Sequence, residues 1–183
     1  MKNFRETNIK GVFEIELFHA GDERGMFVKP YHKATLEKLG LVSEFQESFY
    51  STNQSGVIRG MHFQHPPHDH AKLVYCSSGK LIDVILDIRV GSPTYGQFAT
   101  IELGGDKYNA VYMPSGMAHG FAVLEDNTCM VYLTSTMHAP SADDGVRIDS
   151  FGYDWPIKTP ITSERDNQFS RLDELQSPFI YQG

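Results

Sequence analysis

The stretch KLVYCSSGKLIDVILDIRV, residues 72–90, contains two strand-forming runs separated by Gly79. In the second run, alternate side chains lie on opposite faces of a strand: Leu81, Asp83, Ile85 and Asp87 on one face, and Ile82, Val84, Leu86 and Ile88 on the other. An acidic side chain among large apolar ones is unusual for a plain core. We therefore expect Asp83 either to be buried with a partner or to line a pocket.

Similar runs continue along the chain in both directions, and turns containing Gly, Pro, Asn or Asp separate them. They cover residues 12–18, 25–31, 43–52, 98–103, 109–114, 119–125 and 128–136. Helix signals are short and fall at residues 31–39 and 171–175. Because turns recur roughly every 8–12 residues and few helices intervene, the pattern predicts an all-β fold, an antiparallel β-sandwich or barrel.

The alternation also assigns faces to polar residues outside residues 80–90. Lys72 shares a face with Cys76, and Tyr132 shares a face with Met130. Cys76 and Cys129 each lie in an apolar strand-like run, so we expect both to be reduced core residues and not a disulfide.

Composition and charge restrict the class of protein. Of the 183 residues, 40% are hydrophobic, which supports a single domain over residues 1–183. A net charge of −7, without a run of Lys or Arg, disfavours a nucleic-acid partner. The N-terminus lacks the apolar core of a signal peptide, and no apolar run approaches the roughly 20 residues that span a membrane. We therefore expect a cytoplasmic protein.

The densest polar stretch is RGMHFQHPPHDHAKLV, residues 59–74, and one hypothesis is that it binds a metal. Cupin barrels hold metals with an HxH pair, a following Glu and a later PxGxxH histidine. His68, His70 and His119 match the histidines, and three imidazoles can bind zinc or iron. The Glu is missing, and Lys72 lies where a positive charge would oppose a divalent cation. A metal-dependent cupin enzyme stays as an alternative.

Two other hypotheses need no metal. The first is acid–base catalysis next to a carbonyl, for which histidine is a suitable base, lysine a suitable cation and tyrosine a suitable acid. The second is that His65, His68 and His70 are solvated loop residues without a chemical role. Sequence position alone leaves all three hypotheses open.

A set of motifs in a fixed order adds a further argument. The motifs are GDERG with Phe27 (residues 21–27), GVIRGMHFQ (56–64), KLV (72–74), Asp83 with DIR (87–89), SPTYG (92–96), PSGMAHGF (114–121), Tyr132, DWP (154–156) and SERD (163–166). In these motifs the chain resembles the dTDP-4-dehydrorhamnose 3,5-epimerase family, the RmlC-like cupins. The resemblance covers roughly residues 10–166.

The resemblance implies a cupin-type jelly-roll barrel, a homodimer, no metal or other cofactor, and a nucleotide-linked 4-keto-6-deoxy sugar as substrate. It also implies four catalytic roles. His62 is the base, Asp166 orients it, Lys72 binds the enolate oxygen, and Tyr132 returns a proton to the opposite face of the sugar.

Substrate contacts are also implied by the resemblance, at Arg24, Phe27, Arg59, Gln64, His119, Glu47, Phe49 and Arg165. The chain departs from the family at some of these positions. Glu47, Ser48 and Phe49 replace a Gln-Asp-Asn run, Lys29 replaces a Glu, and Arg165 replaces a Lys. These changes fall in the nucleotide-contacting set, so dTDP, GDP and CDP carriers all remain open, as does inversion at C3, C5 or both.

Two further functions fit the same barrel. A binding module would hold a nucleotide sugar without turnover, although binding alone does not require an opposed base and acid. A 3,4-ketoisomerase would move the ketone instead of inverting a centre, and NMR of the product would distinguish it.

Overall fold

The computed structural model describes residues 1–182, in which the alternating runs form antiparallel strands. The strands are β1 (Phe4–Glu6), β2 (Phe13–Glu16), β3 (Phe18–Asp22), β4 (Gly25–Lys29), β5 (Glu47–Asn53), β6 (Ile58–Gln64), β7 (Lys72–Ser78), β8 (Lys80–Asp87), β9 (Phe98–Gly104), β10 (Asn109–Met113), β11 (Met117–Val123), β12 (Thr128–Thr134) and β13 (Asp143–Gly145). The helices are α1 (Lys33–Lys38) and α2 (Glu164–Asn167). The prediction of an all-β fold is confirmed.

The strands form two large sheets and one hairpin. The six-stranded sheet has the order β1-β2-β10-β7-β12-β5, and the five-stranded sheet has the order β13-β6-β11-β8-β9. Strands β3 and β4 pair with each other as a separate hairpin. Apart from β1–β2 and β8–β9, neighbours in these two sheets are not consecutive in the chain, so residues far apart in sequence meet on the inner faces.

Strand β8 shows how the core is divided. Its Leu81 and Ile85 are fully buried in a cluster that also contains Val74 and Met130 from the facing sheet and Phe121 from the neighbouring strand β11. The opposite face of β8 lies in a second cluster, which the segment after residue 148 covers. Both faces of the strand are therefore buried, as the alternation predicts.

Several short elements differ from the sequence prediction, among them β1 and β13, which no predicted run covers. Residues 171–175 do not form the predicted helix and contain a turn. Helix α2 begins instead at Glu164, where Ser163 caps it by accepting a hydrogen bond from the Asp166 amide at 3.1 Å. Strand β6, which carries the His62 motif, was not among the predicted runs. Cys76 and Cys129 are free thiols, and Cys129 is only partly buried.

Candidate active site

A pocket of about 260 Å³ opens between the inner faces of the two large sheets. Fifteen residues line it: Phe49, Ser51, Arg59, His62, Phe63, Gln64, His70, Lys72, His119, Phe121, Tyr132, Thr134, His138, Asp143 and Arg165. The pocket therefore combines an aromatic wall with several titratable groups.

A β-bulge in β6 brings Arg59 and His62 to the same face. These residues are three apart, so a regular strand would point them to opposite faces. His119 pairs with His62 and Phe121 pairs with Arg59, so three steps on β6 match two on β11. The extra residue on β6 directs both side chains into the pocket.

His62 and Asp166 form a hydrogen-bonded pair although they lie 104 residues apart in the chain. The His62 Nε2 lies 2.9 Å from Asp166 Oδ1, and the Gly60 amide donates to Asp166 Oδ2 at 3.1 Å. Burial by itself would raise the pKa of Asp166, but the hydrogen bond and charge of His62, with the Gly60 amide, lower it to about 2. The ionised carboxylate accepts from Nε2–H, which leaves the lone pair on Nδ1.

Lys72 lies in the interior of the same pocket. The cross-strand register of β7 and β12 places it opposite Thr134, and its Nζ donates to the carbonyl of His62 at 3.3 Å. Burial lowers the pKa of the Lys72 ammonium to about 8, against the opposing charges of Asp143 and Asp83. The group is therefore mostly cationic at neutral pH and close to its titration.

Tyr132 is held by two aromatic contacts. Its ring stacks on Phe49 with centroids 4.7 Å apart and planes 16° apart, and it meets the His119 ring edge-on at 6.1 Å. Burial raises the pKa of the Tyr132 phenol despite a hydrogen bond with Ser51. The hydroxyl is therefore a proton donor that stays protonated near neutral pH.

His119 forms a second histidine–carboxylate pair, with Asp83. Its Nε2 lies 2.7 Å from Asp83 Oδ1, and both side chains are buried. Burial lowers the pKa of His119, and the charge of Asp83 offsets only part of that effect. The expectation that Asp83 is buried with a partner is confirmed. The His119 side chain is 3% exposed and that of His62 is 28% exposed, so His62 is the histidine more open to a ligand.

Two more residues to which the family resemblance assigns substrate contacts, Gln64 and Arg165, line the pocket. Gln64 lines the pocket, but its amide donates to the His68 carbonyl at 2.7 Å and accepts from the Ala139 amide at 2.8 Å, so it also fixes two loops. Arg165 lines the pocket beside Asp143, to which it is ion-paired.

Three other predicted contact residues lie outside this pocket. Glu47 accepts a hydrogen bond from the His138 amide at 2.8 Å and so fixes a pocket residue. Arg24 and Phe27 lie on the exposed β3–β4 hairpin, where Arg24 is ion-paired with Asp22. These three side chains do not reach the His62 pocket of their own chain.

The histidines of the metal hypothesis have other contacts. His119 is paired with Asp83, and the Nδ1 atom of His70 lies 3.3 Å from the Gln64 amide nitrogen. Within residues 1–182, no three His, Cys, Asp or Glu side chains are arranged to hold a metal ion. No helix in that part of the chain is long and apolar enough to cross a membrane.

Several pocket residues have no assigned role in the sequence analysis: Ser51, Phe63, Phe121, Thr134, His138 and Asp143. Thr134 shares a face with Tyr132, so the strand alternation could have identified it. His138 and Asp143 lie beyond the end of β12, and no local pattern indicates that this segment returns to the pocket.

Comparison with known proteins identifies the family. The model of the dTDP-4-dehydrorhamnose 3,5-epimerase family matches residues 6–174. A dTDP-4-dehydrorhamnose 3,5-epimerase of Mycolicibacterium smegmatis is 37% identical over 94% of this chain and 87% of its own length. A dTDP-4-dehydrorhamnose 3-epimerase of Streptomyces niveus is also 37% identical, over 94% of this chain and 84% of its own. The chain belongs to the dTDP-4-dehydrorhamnose 3,5-epimerase family.

A solved structure supports the same assignment. The RmlC epimerase of Legionella pneumophila, crystallised with dTDP-4-keto-L-rhamnose, superposes with a TM-score of 0.94 over 99% of both chains at 31% identity. The predicted cupin-type jelly roll is therefore confirmed, and the chain is an isomerase of the epimerase type. The family resemblance drawn from the ordered motifs is correct.

Proposed function

We propose that the chain inverts one or both carbon centres, C3 and C5, of a nucleotide-linked 4-keto-6-deoxy sugar. The observation that carries this proposal is the grouping of His62, Lys72 and Tyr132 around one pocket, with Asp166 behind His62. These groups supply a base, a cation and an acid, which proton transfer next to a ketone requires. Relatives named for such sugars support the substrate class.

His62 removes the proton from the carbon next to the ketone through its Nδ1 lone pair. The imidazolium that forms lies beside the Asp166 carboxylate, whose negative charge stabilises it. Because Asp166 Oδ2 also accepts from the Gly60 amide, the carboxylate is fixed in place before the charge develops.

Lys72 and Tyr132 complete the reaction. The electrons of the broken C–H bond move to the ketone oxygen, and the Lys72 ammonium neutralises the enolate. Tyr132 then donates its phenolic proton to the opposite face of the carbon, and the ketone is restored. The tyrosinate takes a proton from water and His62 releases one, so no proton is consumed overall.

The other residues of the pocket are suited to binding a nucleoside diphosphate. The guanidinium groups of Arg59 and Arg165 match phosphate oxygens in geometry and charge. Arg59 is held by a hydrogen bond from its Nε to Asn53 Oδ1 at 2.7 Å. Phe49, stacked on Tyr132, offers an apolar surface to the ligand, and Gln64 and His119 complete the wall.

We also propose that the chain works as a homodimer in which Arg24 and Phe27 of one chain reach the pocket of its partner. Two observations support this proposal. Phe18, Met26 and Phe27 are large apolar side chains that are exposed together on the hairpin, and Phe27 is 58% exposed. Arg24 and Phe27 lie outside the pocket of their own chain, although the family resemblance implies that they contact substrate.

The decisive measurement is uptake of solvent deuterium. The protein is incubated in D2O with 4-keto-6-deoxy sugars on dTDP, GDP and CDP, and the masses are read. We expect the sugar on one carrier to gain one or two mass units. In His62→Asn, the rate of this deuterium uptake should fall by at least about 100-fold.

A matched control lies just beyond the end of β6. His65 forms a pair with Asp144 at 2.8 Å, as His62 does with Asp166, but it lies outside the pocket. His65→Asn should therefore exchange at the wild-type rate. Exchange at the wild-type rate by folded His62→Asn, or no exchange by the wild type on any carrier, would contradict the proposal.

A further inference from the structure

We propose that Phe169 is a positioning residue that fixes the His62 imidazole and the Arg165 guanidinium in the pocket. The inference rests on the proposed function of His62. Phe169 lies just after α2 and beyond the last of the ordered motifs, SERD at residues 163–166. Its ring contacts both groups from outside the pocket, so it acts through them and not on the substrate.

The contact with His62 restrains the orientation of the imidazole ring. The hydrogen bond to Asp166 restrains one nitrogen, but by itself it still allows the ring to rock about the Cβ–Cγ bond. The Phe169 ring meets the His62 ring edge-on, with centroids 5.7 Å apart and planes 77° apart. A tilt of the imidazole toward Phe169 would displace its Nδ1 and is opposed by the contact between the two rings.

The position of Phe169 is itself fixed by the backbone around it. A Cβ on Gly145, the cross-strand partner of His62, would overlap the Phe169 ring. Ser170, the next residue, accepts a hydrogen bond from the Arg147 amide at 3.0 Å, and it is bridged to Val146. The absence of a side chain at position 145 therefore creates the space in which the ring lies against β13.

Arg165 lies over the same ring. Its guanidinium carbon is 5.3 Å from the Phe169 centroid, within the range of a cation–π contact, and its head is ion-paired with Asp143 at the pocket wall. The Arg165 side chain is half exposed, so without the ring it would sample many more rotamers. One side chain thus positions the proposed base and one proposed phosphate ligand.

The test compares Phe169→Ala, Phe169→Leu and Phe169→Tyr. A displacement of the base by about 1 Å costs up to about 100-fold, so we expect Phe169→Ala to lower kcat for deuterium exchange roughly 10- to 100-fold and to raise KM. Phe169→Tyr keeps the ring and should retain more than half of the wild-type kcat. Phe169→Leu keeps the bulk but loses the ring, and should be intermediate.

Tyr181→Ala is the matched control. Tyr181 also lies in the C-terminal segment and also stacks on an arginine, Arg89, at 5.0 Å, but it is outside the pocket. The Tyr181→Ala variant should leave kcat and KM unchanged. Wild-type kinetics in folded Phe169→Ala would overturn the proposal, as would Phe169→Tyr being as impaired as Phe169→Ala. If Phe169→Ala does not fold, wild-type kinetics in Phe169→Leu overturn it.

A second measurement is independent of turnover. Because the Phe169 and His62 ring centroids are 5.7 Å apart, we expect the ring current of Phe169 to displace the NMR signal of the His62 Cε1–H in the wild type. We expect that signal to move in Phe169→Ala and to keep its position in Tyr181→Ala. If the wild type exchanges deuterium on no carrier, the proposed function fails, and this signal alone decides the role of Phe169: an unchanged shift would overturn it.

Discussion

The burial of Lys72 should determine the upper limit of the pH range in which the enzyme works. Because burial lowers its pKa to about 8, the ammonium form is present below that pH and is lost above it. We expect kcat/KM to fall as the pH rises through about 8, since the neutral amine cannot neutralise the enolate. The pH dependence of deuterium exchange measures this decline.

The control is Lys72→Arg. A guanidinium stays protonated in proteins, so this variant should lose the decline near pH 8, at whatever rate its altered geometry allows. If the variant keeps the same decline, another group causes it, and Lys72 is not the cation that the enolate requires.

The elements of the fold differ in how far the sequence predicts them. Strand β12 was predicted closely because buried and partly buried side chains alternate along its whole length. Strand β7 was also predicted closely, although its first three residues are all buried and it lacks this alternation. Strand β6 was missed because its bulge interrupts the alternation between Arg59 and His62. Helix α2 is only four residues long, and its local signals are confined to the Ser163 cap and the acidic residues Glu164 and Asp166 in its first turn. The turn at residues 171–175 has apolar spacing like that of a helix, but tertiary contacts determine its shape.

The close approach of β6 and β11 explains why glycine is needed at position 60. Gly60 has a φ of +133°, and a Cβ there would lie 2.5 Å from the Cα of Gly120. We expect Gly60→Ala to lower the free energy of unfolding by roughly 2–5 kcal/mol, from backbone strain and overlap together. Urea denaturation measures this loss.

Gly56→Ala separates the two causes. Gly56 also has a positive φ, +87°, but nothing lies within 4 Å of the position of its Cβ. Gly56→Ala should lower the free energy of unfolding only by the backbone strain, roughly 1–2 kcal/mol. Equal losses in the two variants would mean that the contact with Gly120 contributes nothing.

At the scale of the whole molecule, the site depends on contacts that no local pattern contains. The motifs named His62 and Asp166 through family resemblance, but only the fold brings these residues together across 104 positions. The fold also brings His138 and Asp143 back to the pocket after β12 ends. Local alternation can assign a face to a residue, whereas the topology of the sheets decides which faces meet.

In the proposed dimer, the site also depends on contacts between two chains, because the hairpin of one chain completes the pocket of its partner. Complementation between two inactive variants tests this arrangement. Arg24→Ala and His62→Asn should each be nearly inactive alone. If the hairpin acts in the partner's pocket, a mixed dimer has one site with both wild-type residues. Random pairing of the two variants should then restore about a quarter of wild-type exchange, as expected for a symmetric dimer with two independent sites. If Arg24 acts within its own chain, every site in the mixture stays defective and no activity returns.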